Sequence, residues 1–128
     1  MLRLSAALTA VAAVAAAAVS MLAFLPSAGA ASHPQLVGVV GQNDAYKITL
    51  TSGSKAVKTL KAGTYTIVIH DDSSIHNYEL DGPHGKSWTF TSPSFVGTKT
   101  ITLKLTPGKY KAYCVVHEAE MFQHFTVS

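Results

Sequence analysis

Short runs of alternating apolar and polar residues fill most of the chain after residue 30. The clearest run lies at 101–105, where Ile101, Leu103 and Leu105 alternate with polar residues. A period of two places the apolar side chains on one face of a strand. Four clear runs and four weaker ones predict about eight strands, at 46–51, 65–69, 101–105, 109–113, 36–40, 75–80, 87–91 and 121–127.

Turn-forming residues separate these runs at regular intervals. Glycine, proline, serine and asparagine cluster at 41–44, 52–54, 81–83, 92–93 and 107–108. Short strands at this spacing predict an all-β domain, built as a two-sheet antiparallel sandwich rather than a parallel sheet. The segment 55–62 is compatible with either a short helical turn or a loop.

The first 30 residues differ from the rest of the chain. Arg3 is followed by the uncharged stretch 4–25 and then by the small-residue sequence Ala28-Gly29-Ala30. This order is typical of a secretory signal peptide, so we predict a leader at 1–30 and an exported domain at 31–128. The location is then the periplasm, the cell envelope or the extracellular space. The alternative is a retained membrane anchor, because the apolar stretch is long enough to span a bilayer.

Charge and composition exclude several classes of function. Residues 31–128 carry nine lysines and seven acidic residues, a net charge of +2, and the lysines are scattered. A nucleic-acid footprint is therefore absent, while the positive charge favours acidic protein partners. The domain also lacks a nucleophile-elbow serine, a phosphate-binding glycine loop and a carboxylate pair suited to acid–base catalysis. We therefore predict that the protein is not an enzyme. We also expect it to be a monomer.

The single cysteine is the most informative residue. Cys114 has no internal disulfide partner, and an unprotected thiol in an oxidising compartment is open to oxidation. It lies in the sequence Cys-x2-His-x3-Met, with His117 and Met121, while His76 lies far upstream. Two imidazoles, a thiolate and a thioether are the ligands of a blue-copper site. This set predicts one type 1 copper ion on these four residues.

Strand phase supports the same grouping. Cys114 shares its phase with Tyr110 and Ala112 and is expected to point inward. His76 shares its phase with Tyr78 and Leu80, and Met121 shares its phase with Phe125 and Val127. Ligands from three strand ends are therefore expected to meet inside the sandwich, with His117 closing the site from a loop.

With these motifs the chain resembles the cupredoxins, the blue-copper family that includes plastocyanin and azurin. The resemblance covers most of 36–128 and rests on His76-Asn77 and on the segment from Tyr113 to Met121. It implies a Greek-key β-sandwich, strong ligands at His76, Cys114 and His117, and a weak axial ligand at Met121. Asn77 resembles the family's asparagine that braces the cysteine loop.

The ligand loop departs from the family pattern in two places. Val116 replaces a proline that is often found before the loop histidine, and no glycine flanks Met121. Glu118 or Glu120 is therefore an alternative axial ligand.

The resemblance implies a carrier of single electrons between redox partner proteins. The alternative is a copper storage or delivery module that uses the same residues. The remaining histidines are expected to lie outside the metal site, at His33, His70, His84 and His124. Tyr110, in a Leu-x-x-Gly-x-Tyr sequence that also occurs at Tyr65, is expected to form the tyrosine corner of a Greek-key sandwich.

Overall fold

Two five-stranded β-sheets make up the part of the chain that the computed structural model describes, which is Gly29 and residues 32–128. The predicted leader at 1–30, apart from Gly29, lies outside the described residues. In the described part of the chain, no helix has the length and hydropathy needed to cross a bilayer.

The strands follow the predicted runs, with shifted ends. They are β1 Gln35–Val40, β2 Ile48–Ser52, β3 Lys55–Ala56, β4 Thr59–Leu60, β5 Gly63–Asp71, β6 Glu79–Asp81, β7 Ser87–Thr89, β8 Gly97–Leu105, β9 Gly108–Tyr113 and β10 Phe122–Val127. Short 3-10 turns lie at Gln42–Asp44, Pro83–Gly85 and Val115–His117. The segment left open at 55–62 contains the two short strands β3 and β4, which bring the count to ten.

The sheets have the orders β3-β2-β1-β5-β8 and β4-β10-β9-β6-β7. Most neighbouring strands are antiparallel, but β1 runs parallel to β5 and β4 runs parallel to β10. The predicted two-sheet sandwich is confirmed, whereas the expectation of purely antiparallel sheets was wrong. The reason is that β1 and β4 pair with strands that are not their sequence neighbours, a choice that local patterning does not encode.

The core lies between the inner faces of the sheets. Alternation holds along β5, where Tyr65, Ile67 and Ile69 are buried and the residues between them are only partly buried. The opposing sheet contributes the stacked rings of Tyr110 and Phe125, whose centroids are 5.1 Å apart. Burial of these apolar side chains supplies most of the free energy that holds the sheets together.

Both Leu-x-x-Gly-x-Tyr segments form the same local structure. The Tyr110 hydroxyl donates to the Thr106 carbonyl at 2.9 Å and accepts the Thr106 N–H at 3.0 Å. The Tyr65 hydroxyl donates to the Lys61 carbonyl at 2.7 Å. The predicted tyrosine corner at Tyr110 is therefore confirmed. These two corners stand at the starts of β9 and β5, and the opposite ends of the same strands lead to the site described next.

Candidate metal centre

Three side chains from separate parts of the chain meet at one end of the sandwich. The Nδ1 atoms of His76 and His117 lie 3.0 Å apart, and they lie 3.9 and 3.8 Å from the Cys114 Sγ. Donors that each lie about 2 Å from one metal ion are separated by roughly 3 to 4 Å. The triangle of two nitrogens and one sulfur therefore has the size that a single metal ion requires.

Cys114 is positioned by β9. It follows the last strand residue, Tyr113, and it continues the inward phase of Tyr110 and Ala112, as predicted. The side chain is fully buried, so the thiol is protected from bulk solvent. Its sulfur accepts the backbone N–H of Asn77 at 3.4 Å, which links the cysteine to the residue that follows His76.

His76 is also fully buried, but it does not lie on a strand. The run predicted at 75–80 becomes a strand only at Glu79, and His76 belongs to the loop that leads into it. Its backbone N–H donates to the Ser73 carbonyl at 3.4 Å. The inward direction of the His76 side chain was predicted correctly. Its place in a strand was wrong, because the turn that begins at Ser73 separates it from the hydrogen-bonded strand β6.

His117 ends the 3-10 turn that begins at Val115. Its backbone N–H donates to the Cys114 carbonyl at 3.2 Å, and its own carbonyl accepts the N–H groups of Glu120 and Met121. These bonds fold the loop back so that the ring reaches Cys114. The His117 side chain is only partly buried, and the neighbouring Val115 is exposed. His117 is therefore the member of the cluster nearest to solvent.

The residues proposed for the axial position differ in burial. Met121 is 1% exposed, and its carbonyl accepts the Cys114 N–H at 3.1 Å, which ties it to the cysteine. Glu120 is exposed. Glu118 forms an ion pair with Lys111 at 2.6 Å on the surface.

Asn77 joins the two halves of the site. Its Oδ1 accepts the Val115 N–H at 2.8 Å, and its Nδ2 donates to Glu79 and to the Thr91 carbonyl at 3.0 and 3.3 Å. Because the side chain is buried and its hydrogen bonds reach three separate segments, it holds the ligand loop against the loop that carries His76. The bracing role implied for Asn77 matches this geometry.

Tyr46 is a feature of the site that the alternating pattern did not reveal. Its ring packs edge-on against His76 and His117, with centroid distances of 5.0 and 4.5 Å. Tyr46 shares the phase of Ile48 and Leu50, and so it was assigned to the strand. The strand begins at Ile48, however, and Tyr46 lies in the preceding loop with 54% of its surface exposed.

Gly41 allows the same loop to approach His76. Its φ of 68° lies in the left-handed region, and a Cβ there would lie 2.5 Å from the Ser73 Cβ and 2.9 Å from the His76 Cδ2. Only glycine meets both requirements without strain. The turn prediction at 41–44 contained this residue, but sequence alone did not connect it to the histidine.

Two ionisable groups near the cluster have shifted pKa values. Burial raises the pKa of Asp71, and the charge of Asp72 adds to the shift, while the nearby Thr91 hydroxyl, the Ser73 N–H and the charge of His76 oppose it. Burial also raises the pKa of Tyr113, and the negative charges of Asp81, Glu79 and Glu118 add to the effect. Both groups therefore favour their neutral forms more than the free amino acids do.

The remaining described histidines lie outside the cluster, as predicted. Among the described residues, the group of potential ligands within 4.8 Å of one another consists of His76, Cys114 and His117. His70 bonds to the Thr98 hydroxyl at 3.0 Å, and His124 packs against the ring of Phe122. His33 and His84 are exposed.

Solved structures share this architecture. A methionine-to-leucine variant of rusticyanin aligns at 17% identity, covering 73% of this chain and 76% of that one, with a TM-score of 0.52. A histidine-to-methionine variant of rusticyanin aligns at 16% identity over the same shares, with a TM-score of 0.51. A reduced amicyanin variant aligns at 14% identity over 72% of this chain and 80% of that one, with a TM-score of 0.46. No protein-family model matches the sequence, and no curated protein matches it significantly.

The likeness to the two rusticyanin variants shows that the chain has the cupredoxin fold. Within that fold, two imidazoles and a buried thiol converge beside a buried methionine. Soft sulfur donors combined with imidazoles suit copper in both of its common oxidation states. The fold and the donor set together support a single type 1 copper site.

Proposed function

We propose that this protein is an exported blue-copper carrier of single electrons, with copper held by His76, Cys114, His117 and Met121. The observation that carries the proposal is the triangle formed by the buried Cys114 sulfur and the Nδ1 atoms of His76 and His117. Its sides measure 3.0 to 3.9 Å. Copper bound there would supply the one-electron chemistry, and the protein would fix the ligands and exclude water.

Burial supports Met121 as the axial ligand. A thioether is an apolar group, and Met121 lies in the core next to Cys114. Glu120 faces solvent, and Glu118 is paired with Lys111, so neither carboxylate is directed into the site by a contact in the structure.

His117 is the proposed point of electron entry and exit. It is the least buried member of the cluster, and exposed apolar side chains adjoin it in Tyr46, Val115 and Val116. This surface would let a redox partner approach the site without displacing charged groups. The net charge of +2 on residues 31–128 favours acidic partners.

The spectrum of the protein loaded with Cu(II) tests the proposal. We expect an intense thiolate-to-copper absorption band from the wild type and no such band from Cys114→Ser, because a hydroxyl does not form the soft, covalent bond. His70→Gln is the matched control and should keep the band. A band that survives in Cys114→Ser would refute the assignment. If the band is lost as expected, copper release and electron self-exchange are measured next. Slow release together with rapid self-exchange would identify an electron carrier, and rapid release would identify a storage or delivery module.

The axial ligand is tested by a pair of substitutions. Met121→Gln should retain copper and lower the reduction potential, because a harder oxygen ligand favours Cu(II). Glu120→Gln should leave the potential and the spectrum unchanged. The reverse result, in which only Glu120→Gln alters both properties, would assign the axial position to Glu120.

A further inference from the structure

Two buried side-chain atoms have no hydrogen-bond partner among the described residues. They are the Oδ2 of Asp71 and the Nε2 of His76, and both residues are fully buried. A buried polar atom without a partner costs about 1 to 3 kcal/mol, and such atoms are rare in native proteins. We therefore expect each of these two atoms to have a hydrogen-bond partner in the folded protein.

The two residues converge on the same backbone segment. Asp71 Oδ1 accepts the Ser73 N–H at 3.3 Å, and the Ser73 carbonyl accepts the His76 N–H at 3.4 Å. A Cβ on Gly41 would touch both the Ser73 Cβ and the His76 Cδ2, the ring carbon bonded to Nε2. Asp71 and His76 are thus both hydrogen bonded to Ser73, and the charge of His76 acts on the Asp71 carboxyl group.

The two unpartnered atoms are chemically complementary. When the Nδ1 of His76 faces the Cys114 sulfur as a metal ligand, the ring proton of a neutral imidazole resides on Nε2, which is then a donor. The carboxylate Oδ2 is an acceptor. The two atoms form no direct hydrogen bond in the structure, and a water molecule satisfies one donor and one acceptor at once.

We propose that an ordered water is buried between Asp71 and His76, accepting the Nε2–H of His76 and donating to the Oδ2 of Asp71. Asp71 is then a positioning residue, which fixes the tautomer and the orientation of His76 through this water. The two unpartnered atoms are features of the fold, whereas the tautomer of His76 and its consequence for copper rest on the proposed function.

The water is tested first in the wild-type protein without copper. Nuclear magnetic resonance should show magnetisation transfer from a long-lived water to the ring protons of His76, and the Nε2–H should be protected from exchange. Absence of both signals would overturn the proposal. Because the measurement does not involve copper, it stands even if the protein does not bind that metal.

Substitution then identifies the partner of the water. Asp71→Leu removes the acceptor while keeping the branched heavy-atom skeleton, so the water signal at His76 should disappear, and its persistence would refute the role of Asp71. Asp71→Asn keeps the shape but replaces a carboxylate with an amide. It should weaken Cu(I) binding about 10- to 100-fold in a competition assay. Asp72→Asn, at an exposed neighbour, is the matched control, and equal affinities for the two variants would also refute the role.

Discussion

The two ends of the sandwich differ in how completely their buried polar side chains are hydrogen bonded. Strands β5 and β9 both begin at a tyrosine corner, where the hydroxyls of Tyr65 and Tyr110 are hydrogen bonded. At their other ends, β5 finishes at the buried Asp71 and β9 leads into the buried Cys114. Both of the unpartnered buried side-chain atoms found among the described residues lie at the other end, at Asp71 and His76.

Backbone conformation does not separate the two ends in the same way, because His84, in the 3-10 turn beside Gly108 at the corner end, has a positive φ of 58°. The loop beside the metal centre has positive φ angles at Gly41, Asn43 and Asp44, two of which are not glycines. Strained backbone and unpaired polar groups persist where the surrounding structure holds them, and they concentrate at functional sites. The two unpartnered side-chain atoms therefore distinguish the metal end from the corner end more clearly than the backbone angles do.

Gly41→Ala should have the largest effect of the substitutions that probe this contrast. The left-handed φ costs about 1 to 2 kcal/mol for alanine, and the overlap with Ser73 and His76 adds about 1 to 3 kcal/mol. The free energy of unfolding, measured with urea, should fall by the sum of these costs. The Cu(II) spectrum should change as well, because the clash displaces His76.

Gly53→Ala is the matched control for this experiment. Gly53 has a φ of 58°, and a Cβ there would meet nothing within 4 Å. It should therefore show only the backbone cost of about 1 to 2 kcal/mol and keep the wild-type spectrum. Equal losses for the two variants would contradict close packing of Gly41 against the histidine.

Tyr110→Phe probes the corner end and should have an intermediate effect. The substitution removes a hydroxyl that donates to the Thr106 carbonyl and accepts the Thr106 N–H, so two backbone groups lose their partner. We expect a loss of about 1 to 3 kcal/mol in the free energy of unfolding. The copper spectrum should not change, because the corner lies at the far end of β9. A spectral change would show that the two ends are coupled.

Much of this architecture follows from the sequence. The strands could be predicted because alternation along β2, β5, β8 and β9 reports directly which side chains are buried. The convergence of His76, Cys114 and His117 could be predicted because two imidazoles and a thiol are the donor types that copper prefers. The two parallel strand pairs, β1 with β5 and β4 with β10, could not be predicted, since each pair joins strands that are distant in the chain.

The two misjudged residues near the site show where pattern reasoning stops. Tyr46 has the phase of its strand but lies in a loop, because the turn at Gly41 delays the start of β2. Asp71 lies beyond the predicted end of its strand at residue 69, but β5 continues to Asp71, which keeps the inward phase of Tyr65, Ile67 and Ile69. The alternation therefore extends through an acidic residue that the apolar pattern did not include.

The pH dependence of stability provides the smallest and last test, and it concerns Asp71. Burial raises its folded pKa above the value of about 3.9 expected in the unfolded chain. Between these two values the folded protein retains a proton that the unfolded chain has lost, so stability falls as pH rises. The loss is complete above the folded pKa, and it is limited because Thr91, Ser73 and the charge of His76 oppose the shift. In metal-free protein, Asp71→Asn should remove this slope and so gain stability relative to wild type from about pH 4 upward. Asp72→Asn removes an exposed neighbouring charge that is the smallest contributor to the shift, so it should keep most of the wild-type slope in urea unfolding across the same range. Parallel curves for all three proteins would show that Asp71 is not destabilised by burial.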